Sequence, residues 1–397
     1  MTDVSTATPH AAGPAVLDDG DPAAQERAQY AALRTGALLV DHSARDLWLF
    51  GGAQARATLT GLVTNDVAAL DPGHGCYAAA LTPKGRIVAD VRVYAVSEGT
   101  PGARASGARL PDPADATGWL DGVALLVDVP ARAAAGWEAL VRKFVNPRGT
   151  PYRRAGNAVR SFGVYGLRAR DAVAGAFGAA PSALAALAPY AHATFALDGA
   201  TLLCTRVPDL GGPDAHLDGF VLLVPAPAYD AAWARVAAAP GTVAGGDAAY
   251  TAARVEAGFP EWGLDIDDAT IPQEANFDAL GAISYTKGCY TGQEVVARIH
   301  FRGHVNRHLR GLAFPLDGEA EGLAAAPIPP GAVLVDEHDK PVGDVRTSAR
   351  SPRLGGVALG MVRREVPLGA VLRARWGDGA GAAGERVVTV TALPFPL

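Results

Sequence analysis

The sequence is poor in cysteine and contains no paired cysteine motif. Its 397 residues include three cysteines, Cys76, Cys204 and Cys289, which lie far apart along the chain. Because no Cys-x-x-Cys pair occurs, the sequence argues against a zinc site or an iron–sulfur cluster held by this chain alone. Three separate cysteines are typical of a protein kept in a reducing cytoplasm rather than of a disulfide-linked secreted protein.

The sequence also lacks an excess of positive charge and long apolar runs. The formal net charge is -6 at pH 7, so no global positive field attracts nucleic acid, although a local basic strip is compatible with this total. Residues 1–20 lack the basic start and the apolar stretch of a secretory signal. No run of about 18 apolar residues predicts a membrane span. We therefore expect a cytoplasmic protein.

The length predicts more than one domain, because 397 residues suffice for two or three domains of about 100–200 residues each. We predict a disordered segment over residues 1–21, an α+β core over residues 22–307 with a break near residue 150, and a C-terminal domain over residues 308–397. Residues 98–121, rich in glycine and proline, predict a flexible insertion in the core. Short strands separated by glycine and proline predict that the last domain is a small β-barrel.

A β-hairpin is predicted where two strand patterns flank the turn Thr82-Pro83-Lys84-Gly85. Because side chains alternate along a strand, Asp90, Arg92 and Tyr94 are expected on one face of the second strand. Tyr77 lies on the facing strand. The hairpin therefore gathers an acid, a base and aromatic rings on one surface. The alternative is a solvated strand face with a cross-strand ion pair.

The stretch that most clearly predicts chemistry is Lys287-Gly288-Cys289-Tyr290-Thr291-Gly292-Gln293-Glu294. Its two glycines can take backbone angles that are closed to other residues, so the segment can fold tightly. A lysine near a cysteine favours the thiolate, which is the nucleophile and the metal ligand. We predict that Cys289 is a reactive thiol and that Lys287 activates it. The alternative is a buried cysteine in a glycine-rich turn.

A basic stretch follows this loop. Its members are Arg298, His300, Arg302, His304, Arg307, His308 and Arg310. If Val296–Phe301 were a strand, much of this charge would lie on one face. The stretch then predicts an anion patch for RNA phosphates or an acidic partner. The alternative is a solvated strand edge whose charges prevent aggregation.

Several separated motifs together resemble one protein family. They are Thr64-Asn65-Asp66-Val67, Thr82-Pro83-Lys84-Gly85-Arg86, Arg254-Val255-Glu256-Ala257-Gly258-Phe259-Pro260, Pro272-Gln273-Glu274, the Lys287–Glu294 stretch, Ala297-Arg298-Ile299 and Arg302-Gly303. In this order they are similar to the YgfZ family, folate-binding proteins of iron–sulfur cluster maintenance. The wider superfamily includes the glycine-cleavage T-protein, a tetrahydrofolate-dependent aminomethyltransferase. The resemblance covers residues 28–395 and implies a three-domain ring with folate in a central channel.

The resemblance implies roles for individual residues. Asp90 matches the acid that faces the reactive folate nitrogen in the T-protein. Tyr77 and Tyr94 match aromatic residues that line the folate site. Arg254 matches an arginine of the same site, and Trp262 stands where the family has an aromatic residue. The implied cofactor is tetrahydrofolate, and no permanently bound metal is expected.

The physical chemistry of folate agrees with these roles. Aromatic walls can stack on a flat pterin, with a few polar groups to orient it. Arg254 could grip the anionic glutamate tail at two points, or it could pair instead with Glu256 or Asp265. Arg206 is a looser match to the family site. The T-protein usually has two adjacent acids where this chain has Ala89-Asp90, so aminomethyl transfer is less strongly implied than folate binding.

The expected function is therefore a folate-binding accessory protein for iron–sulfur cluster assembly or repair, which indirectly supports tRNA modification. Because one cysteine cannot hold a four-iron cluster, we expect Cys289 to make a transient thiol or cluster contact shared with a partner. The expected partners are folate and iron–sulfur enzymes or cluster carriers, and no membrane. Two alternatives stay open. One is a folate-dependent aminomethyltransferase or other one-carbon transfer enzyme, and the other is a tRNA-binding protein that uses Arg298–Arg310.

Overall fold

The structure is a computed structural model. It describes residues 22–97, 110–210, 217–316, 327–377 and 383–396. The predicted disordered segment 1–21 and residues 98–109 of the predicted insertion lie outside the described residues. The described chain combines α-helices with two open sheets and a closed barrel, so the predicted α+β class with a C-terminal β-barrel is confirmed.

The secondary-structure elements have the following bounds. The helices are α1 (Pro22–Thr35), α2 (Ala55–Thr60), α3 (Ala134–Phe144), α4 (Ala169–Phe177), α5 (Pro181–Ala185), α6 (Tyr229–Ala237), α7 (Asp247–Ala257) and α8 (Gln293–Arg302). The strands are β1 (Ala37–Asp41), β2 (Arg45–Gly51), β3 (Gly75–Leu81), β4 (Ile87–Ala95), β5 (Val123–Pro130), β6 (Tyr152–Arg154), β7 (Val159–Gly166), β8 (His192–Leu197), β9 (Ala200–Arg206), β10 (Asp218–Pro225), β11 (Thr242–Ala244), β12 (Arg307–Phe314), β13 (Val333–Val335), β14 (Pro341–Ser351), β15 (Gly355–Arg363), β16 (Val371–Trp376) and β17 (Gly384–Thr391).

The first sheet has the strand order β3-β4-β5-β2-β6 and contains the predicted hairpin. In the β3–β4 pairing Tyr77 lies opposite Arg92. On the other face Val91 and Val93 pack with Trp137 of α3 in one apolar cluster. One face of the hairpin is thus covered by a helix, and the face with the acid, the base and the tyrosines turns toward the rest of the chain.

The second sheet has the strand order β11-β1-β7-β10-β9-β8. Helices α4 and α6 cover one of its faces, where Val173 and Val236 join Phe220 in a separate apolar cluster. Its other face meets the first sheet. Tyr77, Tyr165, Leu203 and Phe277 belong to one continuous core that also includes residues of the barrel. The two sheets and the barrel therefore share a central core, and any opening in it lies between them.

The C-terminal barrel closes in the order β12-β15-β14-β13-β16-β17. One buried carboxylate ties it to two helices of the preceding chain. The hydroxyl of Tyr30 in α1 donates to Glu256 of α7 at 2.6 Å, and Arg353 donates to the same carboxylate at 3.3 Å. This contact holds α1, α7 and the barrel in one arrangement around the core.

Two local expectations differ from the structure. Residues 296–301 belong to helix α8, not to a strand, so the expected placement of the basic residues on one strand face was wrong. The helix follows Gly292, whose φ of +83° suits only glycine without strain. The second difference concerns the flexible insertion predicted over residues 98–121, because its residues 110–121 form turns that pack on the protein. There Trp119 is fully buried and donates its ring N–H to the Thr201 carbonyl at 2.8 Å.

Candidate functional site

A cavity of about 580 Å³ opens between the two sheets and the segment after α7. We call it the aromatic cavity. Its lining residues are Asn65, Gly75, Cys76, Tyr77, Pro189, Tyr190, Arg206, Val207, Pro208, Leu217, Ala257, Phe259, Ala279, Leu280 and Gly281. Its size falls in the range of small-molecule sites, and a mostly apolar lining with a few polar groups is typical of them.

Tyr77 lies at the centre of an aromatic group in this wall. Its ring is nearly parallel to that of Tyr190, with centroids 6.2 Å apart. Phe259 and Phe277 each lie 5.2 Å from it. Asn65 fixes the strand that carries Tyr77, because its side-chain amide donates to the Tyr77 carbonyl at 3.0 Å and to the Gly281 carbonyl at 2.8 Å. The wall is therefore held by packing and hydrogen bonds from two sides.

Asp90 lies directly behind this wall. The hydroxyl of Tyr77 donates to its Oδ2 at 3.0 Å, and the residue is only 3% exposed. Its Oδ1 has no hydrogen-bond partner among the described residues. Burial raises the pKa of Asp90, while Arg45, Tyr77 and Arg92 act in the opposite direction. The carboxyl group is thus suited to hold or release a proton beside the cavity.

A buried network of charged side chains lies near Asp90, and its two arginines oppose the rise in pKa that burial causes in that carboxyl group. Arg92 pairs with Asp209 at 2.5 Å and with Asp128 at 3.3 Å. Arg45 pairs with the other oxygen of Asp128 at 2.7 Å. Because each ion has an oppositely charged partner, the network can remain buried. The cross-strand ion pairing expected as an alternative does occur, but in the interior and not on a solvated face.

A second cavity, of about 390 Å³, opens on the other side of this network. We call it the charged cavity, because Arg45, Arg92, His42 and Glu261 all contribute to its wall. Burial lowers the pKa of His42 to about 3, so this imidazole is neutral at physiological pH. Asp90 is bonded to a tyrosine of the aromatic cavity and is influenced by Arg45, Arg92 and Glu261 of the charged cavity. Asp90 itself lines neither cavity.

Two of the expected aromatic residues lie near the site without lining the aromatic cavity. Tyr94 is fully buried, and its ring meets that of His192 edge-on at 6.0 Å. Burial raises its pKa, and its hydroxyl has no partner among the described residues. Trp262 is half-buried and packs against both neighbouring cores. Of the three predicted aromatic residues, only Tyr77 reaches the cavity wall.

Arg254 is enclosed by partners of its own. Its guanidinium forms a buried ion pair with Asp265 and donates to the Phe259 carbonyl at 2.7 Å. Glu261 lies 3.8 Å away. Arg254 does not line the aromatic cavity, so the expected grip on an anionic tail is replaced by the alternative, pairing with Asp265. Its observed role is to fasten the end of α7 to the following loop.

Arg206 is the arginine that lines the aromatic cavity. It is half-exposed at the end of β9, and one of its N–H groups donates to the Leu187 carbonyl at 2.8 Å. In the sequence, Arg206 is only a looser match to the family site. Tyr190 and Phe259 were missed altogether as wall residues. Tyr190 precedes β8 with a φ of +63°, a backbone conformation that the sequence does not reveal.

Lys287 and Cys289 lie in different environments. Lys287 is 8% exposed and donates to the carbonyls of Thr60 and Val63. Burial lowers its pKa to about 8, and Cys76 is one of the groups that oppose this shift. Cys289 is exposed. The predicted activation of Cys289 by Lys287 is therefore not seen, because the ammonium group is directed into the protein.

Residues 287–292, which we call the Cys289 loop, pack together with the start of α8 on the turn of the β3–β4 hairpin, and each side of the contact has one glycine. A Cβ atom on Gly292 would lie 2.6 Å from the Thr82 carbonyl oxygen, and one on Gly85 would lie 2.8 Å from the Cβ of Val295. Both distances are shorter than real Cβ contacts allow, so neither position accepts another residue without movement. Two motifs about 200 residues apart along the chain thus form one structural unit.

The same unit includes the first polar motif. The Thr64 hydroxyl donates to the Ala282 carbonyl at 2.7 Å, and the Ser284 N–H donates to the Thr64 carbonyl at 3.0 Å. Glu274 of the Pro272-Gln273-Glu274 motif receives two hydrogen bonds of 3.1 Å from Arg307. Hydrogen bonds therefore join the Thr64 motif to residues 282–284 and the Glu274 motif to Arg307.

Within the described residue ranges, no group of three or more His, Cys, Asp or Glu side chains is placed to hold a metal ion. In the same ranges, no helix combines the length and the apolar character required to cross a membrane.

No protein-family model matches the chain. It is 50% identical over 64 residues to the tRNA-modifying protein YgfZ of Yersinia enterocolitica, covering 16% of this chain and 19% of that protein. It is 52% identical over 64 residues to the Escherichia coli protein of the same name, covering 16% of this chain and 20% of that protein. The match thus spans about a fifth of the length of these curated relatives.

The likeness in structure extends much further than the likeness in sequence. The glycine cleavage system aminomethyltransferase T of Bartonella henselae superposes with a TM-score of 0.72 at 20% identity, covering 93% of this chain and 88% of that chain. At this identity the comparison establishes the fold. The expected resemblance is confirmed: over 64 residues this chain is similar in sequence to the YgfZ proteins, and it has the fold of the glycine-cleavage aminomethyltransferase.

Proposed function

We propose that this protein binds tetrahydrofolate in the aromatic cavity and that it supports tRNA modification through iron–sulfur enzymes. The observation that carries the folate proposal is the cavity itself. It has the volume of a small-molecule site, aromatic rings in one wall, and a buried carboxyl oxygen with no partner among the described residues behind that wall.

The residues present fit each part of a reduced folate. Tyr77 and Phe259 offer flat apolar faces for the pterin. The guanidinium of Arg206 lies on the same wall and can form charge-assisted hydrogen bonds to the carboxylates of the glutamate tail. Arg206 thus takes the place that the sequence suggested for Arg254. Bound tetrahydrofolate would supply ring nitrogens that carry one-carbon units.

The protein's own part in any proton movement falls to Asp90. Its carboxyl group is anchored at Oδ2 by Tyr77, which leaves Oδ1 to accept or donate a hydrogen bond. Because burial raises its pKa, the group is easier to protonate than an exposed aspartate. Asp90 can therefore orient a polar atom of a ligand or exchange a proton with it.

The role in tRNA modification rests on a shared segment. The relatives that match over 64 residues carry the name tRNA-modifying protein. The exposed thiol of Cys289 offers a ligand or an exchange partner to an iron–sulfur cluster held by another protein. A Cys289→Ser strain would then lose activity of iron–sulfur enzymes while the purified variant keeps its affinity for tetrahydrofolate. Normal enzyme activities in that strain would contradict the proposed role of the thiol.

The folate proposal is tested by isothermal titration calorimetry with tetrahydrofolate. Arg206→Ala should weaken binding, because it removes the cation that faces the tail. The matched control is Arg235→Ala, since Arg235 is another half-exposed arginine and pairs with Asp198 instead of lining the cavity. Equal affinities for the wild type and Arg206→Ala would contradict the placement of the tail, and absent binding would contradict the folate proposal.

A second candidate is catalysis of one-carbon transfer, favoured by the aminomethyltransferase fold and by the hydrogen bond between Asp90 and Tyr77 of the cavity wall. A true transferase would turn over a methylene or aminomethyl donor with tetrahydrofolate. That turnover should be lost on Asp90→Asn, which keeps the size of the side chain and removes its charge. Binding without turnover would favour the accessory role.

A further inference from the structure

Two exposed rings at the C-terminal end of α8 and the half-buried ring of Tyr285 form a cluster. The rings of Tyr285 and His300 stack with centroids 3.6 Å apart and planes 18° apart. Phe301 meets His300 edge-on at 4.7 Å and is 67% exposed. We call these three residues the α8 platform. Tyr285 packs partly against the central core, whereas His300 and Phe301 are exposed to solvent.

The platform is held in place by the protein's own hydrogen bonds. Gln273 donates to the Tyr285 hydroxyl at 3.3 Å and to the Val296 carbonyl of α8 at 2.8 Å. The Tyr285 hydroxyl donates in turn to Asp278. Because Tyr285 is held before any ligand arrives, little of its conformational freedom would be lost on binding.

Exposed basic side chains lie next to the platform at the same helix end. Arg298 and Arg302 are exposed on α8, and His304 is exposed just after it. Arg298 pairs with Glu294 at 2.5 Å, whereas Arg302 forms no ion pair within the described part of the chain. Arg307, the next cation of the basic stretch, is bound to Glu274. The accessible basic surface is therefore smaller than the sequence suggested and is centred on the aromatic rings.

We propose that the α8 platform binds unpaired bases of RNA. Bases of a single-stranded loop would stack on Phe301 and on the exposed part of the Tyr285–His300 pair, while Arg298 and Arg302 contact the phosphates. A duplex cannot use the rings, because its bases are stacked on each other. An acidic protein segment is the weaker match, since it would need several unpaired cations and would leave the aromatic surface unexplained.

The platform adjoins the Cys289 loop. Burial and the Asp278 carboxylate together raise the pKa values of both Tyr285 and Tyr290, so one carboxylate lies near both rings. Tyr290, which is buried, directly follows the exposed Cys289. This inference does not depend on folate binding, because the platform shares no residue with the aromatic cavity.

The test uses fluorescence anisotropy with a labelled RNA stem-loop and with a blunt RNA duplex of the same stem. The wild type should bind the stem-loop more tightly than the duplex. Phe301→Ala should weaken stem-loop binding about 5- to 150-fold, the usual effect of removing one stacking ring. Arg302→Ala should reduce the slope of log affinity against log salt by about 0.7.

Matched controls come from α3. Phe144 is an exposed phenylalanine, 45% exposed, and Arg142 is an exposed arginine paired with Glu138 four residues earlier. Phe144→Ala and Arg142→Ala should leave stem-loop binding unchanged, and all four variants should keep the wild-type melting temperature and affinity for tetrahydrofolate. Equal binding of stem-loop and duplex, no effect of Phe301→Ala, or no saturable binding at low salt would each overturn the proposal. Loss of an acidic protein partner on Phe301→Ala, with RNA binding unchanged, would assign the platform to that partner instead.

Discussion

The contact between Gly292 and the hairpin turn gives a prediction whose size can be worked out from the structure. The perturbation is Gly292→Ala, which adds one methyl group. That methyl group would lie 2.6 Å from the Thr82 carbonyl oxygen and 3.1 Å from the Cβ of Leu81. The oxygen belongs to a hydrogen-bonded turn, where it accepts from the Gly85 N–H at 2.9 Å. It cannot move away without disturbing the hairpin.

Two terms destabilise this variant and one stabilises it. A φ of +83° costs a residue with a Cβ about 1–2 kcal/mol. Forcing a methyl group into a filled space costs about 1–3 kcal/mol more. Replacing glycine reduces the freedom of the unfolded chain, which returns about 0.4–1 kcal/mol. The expected loss in the free energy of unfolding is therefore about 2–4 kcal/mol.

The matched control is Gly122→Ala, which separates the steric contact from the backbone angle. Gly122 has a similar φ of +72°, and nothing lies within 4 Å of an added Cβ. Its expected loss is about 1 kcal/mol or less, because only the backbone term and the unfolded-state term remain. Urea unfolding of both variants measures the difference. Equal losses in the two variants would refute the packing of the Cys289 loop on the hairpin.

Three further predictions concern the charged and thiol groups of the site. In the folded protein Lys287 should titrate near pH 8, whereas its pKa in the unfolded chain is near 10.5. Between pH 8 and pH 10.5 the unfolded state therefore binds more protons than the folded state. The free energy of unfolding should therefore rise with pH across this window in the wild type but not in Lys287→Met, and equal slopes would contradict its burial. With a disulfide reagent, one thiol of the folded protein should react rapidly, and Cys289→Ser should remove that reaction, because the other two cysteines are buried; rapid reaction of two thiols would contradict this. Arg254→Met should lower the free energy of unfolding by about 3–5 kcal/mol, because Asp265 is left buried without its partner. The double variant with Asp265→Leu should recover much of that loss, and a neutral single variant would show that the pair is not buried.

The hairpin and its polar face could be predicted because their causes are local. Alternation with period two places Tyr77 and Arg92 on one face, and Thr82-Pro83-Lys84-Gly85 supplies the turn. Helix α8 could not be predicted in the same way. In residues 296–301 basic side chains alternate with apolar ones, and so short a pattern fits a strand as well as a helix. Contacts from distant parts of the chain decide between the two. Gln273, for example, donates to the Val296 carbonyl from 23 residues away.

The roles of individual cations depend on partners that the sequence does not bring together. Arg254 and Arg206 are both plausible partners of an anion in the sequence. In the structure Arg254 is paired with Asp265, and Arg206 lies on the wall of the aromatic cavity. Lys287 is two residues from Cys289, yet the carbonyls of Thr60 and Val63 hold it inside. Spacing along the chain shows which residue types are available, and long-range contacts decide which of them face a ligand.

The central claim, that the aromatic cavity is the folate site, is tested most directly by filling one cavity at a time. Ala279 is exposed and lines the aromatic cavity, whereas Ala131 is exposed and lines the charged cavity. In calorimetric titrations with tetrahydrofolate, Ala279→Trp should abolish binding and Ala131→Trp should bind as the wild type does. Retained binding in Ala279→Trp, with loss in Ala131→Trp, would contradict the account.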